Sequence, residues 1–305
     1  MTRIAARECA SVAPEGDGDL NLDSFRLRLS EIGPTDGGRL HQMTVGVGWP
    51  HRLRDVTVLL DLGRGLIGMD EIDRPVCTAM FFPWGDDFAT LGMMTTTPRL
   101  QAQGAGRWLL RQVLAECGGR DVRLYATRAG YSLYREGGFT PVRAVHQMQG
   151  VVTGAEMPDA LPGLSVRPVG AADLDAMRAL DLRAFGAPRD AGLVYLLSKG
   201  DGLIACEGDR PVGYALRRRF GKGTLIGPVV AESDDIALRL IAPLIAQGQG
   251  GFVRLDMPDE SGRLMTYLQR AGLAHFDSVT EMRIGPERRQ TSGAVTFGLA
   301  AHSLG

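Results

Sequence analysis

The pattern of apolar and polar positions divides the chain into two runs of elements. From Phe25, "FRLRLSEI" alternates as a half-buried strand does, and helical material with turns follows through "GGRLHQMTVGVGWPHRLRDVTVLLDLG". "RGLIGMDEIDRPVCTAMFFPWGDDFATLGMMTTT" predicts three strands, with hairpin-type punctuation at "DEIDRPV" and a turn cluster at "PWGDD". Beyond Gly106, Leu109, Leu110, Val113 and Leu114 share one helix face. A short strand (VRLYA), a short helix (YSLYREG) and a last strand region (TPVRAVHQMQGVV) complete the run. "TGAEMPDALPG" has the composition of a linker.

The second run repeats the plan: strand "LSVRPV", helix "AADLDAMRALDLRAF", strands "GLIACEG", "DRPVGYALRRRF" and "TLIGPVVAES", helix "DDIALRLIAPLIAQ", strand "GFVRLDMP", helix "SGRLMTYLQRAG" and a closing strand pair. Asp73-Arg74-Pro75-Val76 recurs as Asp209-Arg210-Pro211-Val212; Leu91-Gly92 falls on Ile226-Gly227, and Gly138-Phe139 on Gly272-Leu273. A register held over about 65 residues predicts a duplicated architecture. The expected layout is a tail over 1–22, a first domain over 23–152, a linker over 153–163 and a second domain over 164–305.

Composition narrows the function classes. With 44% hydrophobic and 23% charged residues the chain can bury real cores, and its net charge of -1 argues against binding nucleic acid by phosphate neutralisation. Cys9, Cys77, Cys117 and Cys206 lie far apart without metal-ligand spacing, which predicts free thiols and no zinc. Neither a signal-peptide pattern nor an apolar run of about 20 residues stands in the sequence, so a cytoplasmic protein without membrane contact is expected.

"TTTPRLQAQGAGRWLLRQVL" carries the candidate chemistry. Directly after a strand, Gln101-x-x-Gly104-x-Gly106 opens a helix whose first amides point outward and carry partial positive charge, a seat for an anion. Glycine there lets a phosphate approach the backbone of Gln103 to Arg107. No Lys-Ser/Thr pair follows, so the loop is not of the Walker A kind, and Leu109 stands where a dinucleotide fingerprint needs a small residue.

Taken with Ala126-x3-Gly130-x2-Leu133-Tyr134-x3-Gly138-Phe139, this loop resembles the paired signature motifs of the GCN5-related N-acetyltransferases (GNAT), over about Phe25 to Val151. "GVGWPHRLRDV" and the degenerate second copy resemble bacterial two-domain members of the YitH type. The resemblance implies an α/β (α+β) fold of two tandem domains, each a mixed, mostly antiparallel sheet flanked by helices. It implies acetyl-CoA as acyl donor and no metal. Its pyrophosphate would sit on Gln101, Ala102, Gln103, Gly104, Ala105, Gly106 and Arg107, and its pantetheine along Met93, Met94 and Thr95, where two strands splay. A backbone N–H near Met93 would polarise the thioester carbonyl, and Tyr134 takes the family's general-acid position beside the leaving sulfur.

Relatives that carry a Glu on the fourth strand have no counterpart in "ATLGMMTTT". Base candidates are Asp70, Glu71, Asp86, Asp87, His41 and His51, with Trp49 and Glu71 as acceptor-side residues. In the second copy Ile236, Arg239 and Ile241 replace the loop and Leu268 replaces the tyrosine, so no CoA is expected there; Asp256 and Arg189 are candidates for lining the acceptor pocket. The expected activity is acetyl transfer to a primary amine of a small molecule, by a monomer or homodimer. Protein Lys or N-terminal acetylation and acyl-CoA sensing without turnover are the alternatives.

Overall fold

The structure is a computed structural model that describes residues 19–22, 25–101, 103–258, 262–289 and 293–305. Its first half runs β1 (Asp19–Leu22), β2 (Phe25–Glu31), α1 (Gly37–Gly46), α2 (Leu53–Leu62), β3 (Arg64–Met69), β4 (Pro75–Trp84), β5 (Phe88–Thr96), α3 (Ala105–Glu116), β6 (Asp121–Ala126), α4 (Tyr131–Glu136) and β7 (Thr140–Val151). The second half repeats that order from β2 onward: β8 (Leu164–Pro168), α5 (Leu174–Phe185), α6 (Asp190–Ser198), β9 (Gly200–Glu207), β10 (Arg210–Phe220), β11 (Gly223–Ala231), α7 (Asp234–Ala246), β12 (Phe252–Met257), α8 (Gly262–Arg270) and β13 (Ala274–Ile284). A last strand, β14 (Val295–Gly298), follows. Asp19–Leu22, expected as tail, is a strand paired antiparallel with β2. The nine-residue α6 was not anticipated, because "DAGLVYLLS" is too short for a clear helical period.

The sequence leads one to expect two sheets; the strands instead form one continuous sheet in the order β1-β2-β3-β4-β5-β6-β13-β7-β12-β11-β10-β9-β8. The halves exchange their last strands. β13 lies between β6 and β7, with Thr280 to Ile284 on Ala126 to Val122, and β7 pairs with β12 through His146 to Val151. An ionic knot marks the crossing. Glu281 of β13, fully buried, faces Arg123 of β6 at 3.5 Å and Arg143 of β7 at 3.1 Å, and also pairs with Arg289. Burial alone would push its carboxyl up, but the three guanidiniums outweigh it and hold the group below the usual carboxylate range.

Two places set the site. β5 and β6 pair in parallel only from Phe88 to Leu91 against Asp121 to Leu124, after which β5 runs on and the strands part. In the second half β11 and β12 pair only at Thr224 to Leu225 and Val253 to Arg254. There β14 enters the gap, pairing Val295 to Gly298 with β11, and Leu299 N donates to the Asp256 carbonyl at 2.9 Å. A Cβ on Gly227 would overlap the Leu299 carbonyl, so the plug sits against bare backbone. The two gaps are homologous, and only the first is free of a strand.

Candidate active site

A cavity of about 1450 Å³ runs from the start of α3, through the first gap, to the face made by the second half. The start of α3 is shaped for close approach. Gly104 precedes it with φ +92°, a conformation that disfavours side chains, and nothing lies within 4 Å of where its Cβ would be. No side chain caps this helix. The homologous α7 opens instead with Asp234 and Asp235, and its N-cap Ser233 accepts from Ile236 N at 3.3 Å. One helix start offers outward amides, while the other is capped by its own chain and carries acidic residues.

Past Leu91 the edge of β5 has a bulge. Thr78 pairs with Thr95 but Met80 with Gly92, so β5 holds one extra residue, and Met93 adopts φ +51°. A left-handed methionine costs on the order of 1–3 kcal/mol and needs surroundings that enforce it. Thr78 supplies part of that by donating its Oγ1–H to the Met93 carbonyl at 2.9 Å. Met93, Met94, Thr95 and Thr96 line the cavity along this edge.

Tyr134 rises from α4 into the same cavity, packed edge-on against Phe139 with ring centroids 5.8 Å apart. Burial pushes its phenol above its ordinary pKa, so it stands as a neutral O–H donor. Gly130 allows this placement, since a Cβ there would sit 3.0 Å from the ring.

The other sequence-predicted residues divide. Gln101, Gly104, Gly106 and Arg107 line the cavity; Arg107 also pairs with Glu136. Ala105 is buried in α3, Gln103 turns its amide to the Arg99 carbonyl, and Ala102 lies outside the described residues. Trp49, His41 and His51 also line the cavity. Glu71 does not: it is an exposed residue of the β3–β4 turn whose carboxylate accepts from Arg26 N at 2.9 Å, so it leaves the acceptor site. Asp70 is spent on that turn through Arg74, and Asp87 on Arg288. Arg189 is also removed. It lies buried under the Phe185 ring and paired with Asp181 at 2.7 Å, away from the cavity.

Asp256 does line the cavity, and its surroundings were not legible in the sequence. On β12 its fully buried carboxylate receives Nε and Nη2 of Arg254, both at 2.8 Å. His302, from the segment after β14, places Nε2 3.4 Å from Asp256 Oδ2 and stacks on Tyr125 of β6. Burial lowers the His302 pKa to about 4, Arg254 adding to the drop while Asp256 and Asp277 oppose it. His51 is lowered to about 3 by burial and then by Arg254, and its Nδ1 has no partner. The buried Tyr125 hydroxyl is likewise without a partner. All three residues line the cavity, with the unpartnered His51 Nδ1 and Tyr125 hydroxyl themselves buried.

The fold and the cleft agree with what the chain is similar to, acetyltransferases of the GNAT type. The family model described as "Acetyltransferase (GNAT) domain" matches residues 177–297, within the second half. The N-acetyltransferase YitH of Bacillus subtilis (strain 168) is 24% identical over 267 residues, covering 85% of this chain and 91% of YitH. The holothin acyltransferase of Pseudoalteromonas sp. is 26% identical over 218 residues, 70% of this chain and 73% of that protein. Among solved structures, one from Pyrococcus horikoshii described as an acetyltransferase superposes with a TM-score of 0.76 at 20% identity, covering 95% of this chain and 99% of its own. A tandem GNAT protein from the clavulanic acid biosynthesis pathway gives 0.61 at 14% identity, covering 86% and 99%.

Proposed function

We propose that the protein transfers an acetyl group from acetyl-CoA to a primary amine of a small molecule, with one donor site, in the first half. The observation that carries this is the single cavity joining the uncapped start of α3, the free edge of β5, Tyr134 and a wall built by the second half. When bound, acetyl-CoA supplies an acyl group activated as a thioester. The residues fit it: the glycine-opened helix start would take the pyrophosphate, and the backbone of Gly92 to Thr96 would hydrogen-bond the pantetheine amides.

The chain's own groups then do three things. A backbone N–H at the Met93 bulge, on the cavity-lining edge of β5, would stabilise negative charge on the carbonyl oxygen. Tyr134, kept protonated by burial, gives its proton to the departing sulfur. The second half covers the acceptor side with Phe220, Arg254 and Asp256, which favours an enclosed small amine over a protein chain.

Tyr134→Phe tests the assignment. Thiol release from acetyl-CoA across a panel of primary amines should fall about 100-fold or more in kcat, with acetyl-CoA affinity within a few-fold of the wild type. Unchanged kcat would remove Tyr134 from the chemistry.

A further inference from the structure

The residues after β14 hold an unusual position. Having left the second gap, the chain crosses to the first and meets both strands where they part. Leu91 and Leu124, the last residues of the parallel pairing, belong to the core under α3. Alternation turns the next residues, Gly92 of β5 and Tyr125 of β6, to the opposite face, and there the segment lies across them.

Packing and hydrogen bonds hold it in place. A Cβ on Gly92 would come within 2.2 Å of Ser303 Oγ, so the serine side chain rests on bare backbone. Trp84 Nε1 donates to Thr90 Oγ1 at 2.9 Å, and Thr90 Oγ1 donates in turn to the Ser303 carbonyl at 2.8 Å. Beside it the His302 ring stacks on Tyr125, with planes 24° apart, while Arg254 Nη2 donates to His302 Nε2 at 3.4 Å. Leu91, Leu124, Tyr125, His302 and Ser303 all line the cavity, at the vertex where β5 and β6 come together.

The donor reading above gives the acyl group a direction. With the pyrophosphate at the start of α3 and the pantetheine running along β5 from Thr96 toward Gly92, the acyl carbons point into that vertex. We propose that Ser303 is a specificity-determining residue of the transfer: its side chain, with Tyr125 and the Leu91–Leu124 pair, forms the end wall of the acyl pocket and restricts the donor to the shortest acyl groups. The second half thereby measures the acyl chain, although the donor cleft belongs to the first. This rests on the acetyl-transfer reading. A longer chain meets the closed strands and the braced serine ahead of it, where extra carbons overpack the wall. It must turn instead into the space the amine needs, so that the two substrates compete for one volume.

The test measures thiol release by the full chain from acetyl-, propionyl- and butyryl-CoA, with the most reactive amine of the panel, in wild type and in Ser303→Gly. The variant keeps the backbone carbonyl that Thr90 holds and loses only the side chain. The account expects wild-type kcat/KM to fall about 10-fold or more with each added methylene, the size of step a closed pocket imposes. Ser303→Gly opens room for about one further carbon, so its propionyl-to-acetyl ratio should rise about 10-fold, with affinity for CoA itself within about threefold of wild type by calorimetry. Wild-type turnover of butyryl-CoA equal to that of acetyl-CoA, or ratios that Ser303→Gly leaves unchanged, would overturn the proposal while leaving the donor site standing. A loss of CoA affinity large enough to account for the change would overturn it too, by making Ser303 part of the cofactor seat. A wild type that binds no acetyl-CoA, or transfers to no amine of the panel, would instead overturn the reading on which it rests.

Discussion

At the scale of single residues, the cavity is lined by groups whose protonation is fixed by burial. His51 and His302 have folded pKa values of about 3 and about 4, below the 6.5 of an exposed imidazole. Their folded forms bind fewer protons than the unfolded chain, so their contribution is fully present above pH 6.5 and is lost as pH falls toward the folded values. Between pH 6.5 and 5, each should remove about 2 kcal/mol of stability. Urea midpoints should therefore drop steadily from pH 7 to 5, and His51→Gln should flatten the slope; a midpoint constant over that range would show that these imidazoles are charged in the fold. Little of this was readable beforehand. Gly104, Gly106 and Tyr134 stand in local motifs whose spacing survives without a structure, and Trp49 and Asp256 were found by position. His302 was not, because its neighbours Asp256 and Tyr125 are far from it in sequence and nothing local marks it.

At the scale of elements, the two halves share one order of strands and helices, and the difference between them lies in what enters the gap after the short parallel pairing. In the second half it is β14, held to β11 by Val295 to Gly298 and pressed against Gly227. Gly227→Ala should force β14 outward, costing about 1–3 kcal/mol or more, and should shift the segment that carries His302 and Ser303. Turnover should then fall while acetyl-CoA affinity changes little; an unaltered melting temperature would show that the plug is loosely seated. Element order was largely legible, since alternation and helical spacing are local. The partners of β7, β13 and β14 were not, because alternation says that a strand has a buried face and not which strand lies beside it.

For the molecule as a whole, exchange of the last strands turns a repeat into one body. β6 hydrogen-bonds β13, β7 hydrogen-bonds β12, and Glu281 ties three arginines across the seam with no exposed surface. Such a charge, deprived of partners, costs about 3–5 kcal/mol, so the seam is specified as well as buried. This arrangement brings Phe220, Arg254 and Asp256 of the second half into the cavity at the first gap, and among the described residues only the first half leaves its gap without a strand and its helix start without a side-chain cap. The measurement that bears most directly on that account is calorimetric titration of the full chain with acetyl-CoA, alongside Gly104→Glu. Saturation at one acetyl-CoA per chain, abolished in the variant by bulk and charge at the start of α3, is the expected result. Two sites per chain, or binding that Gly104→Glu leaves intact, would contradict it.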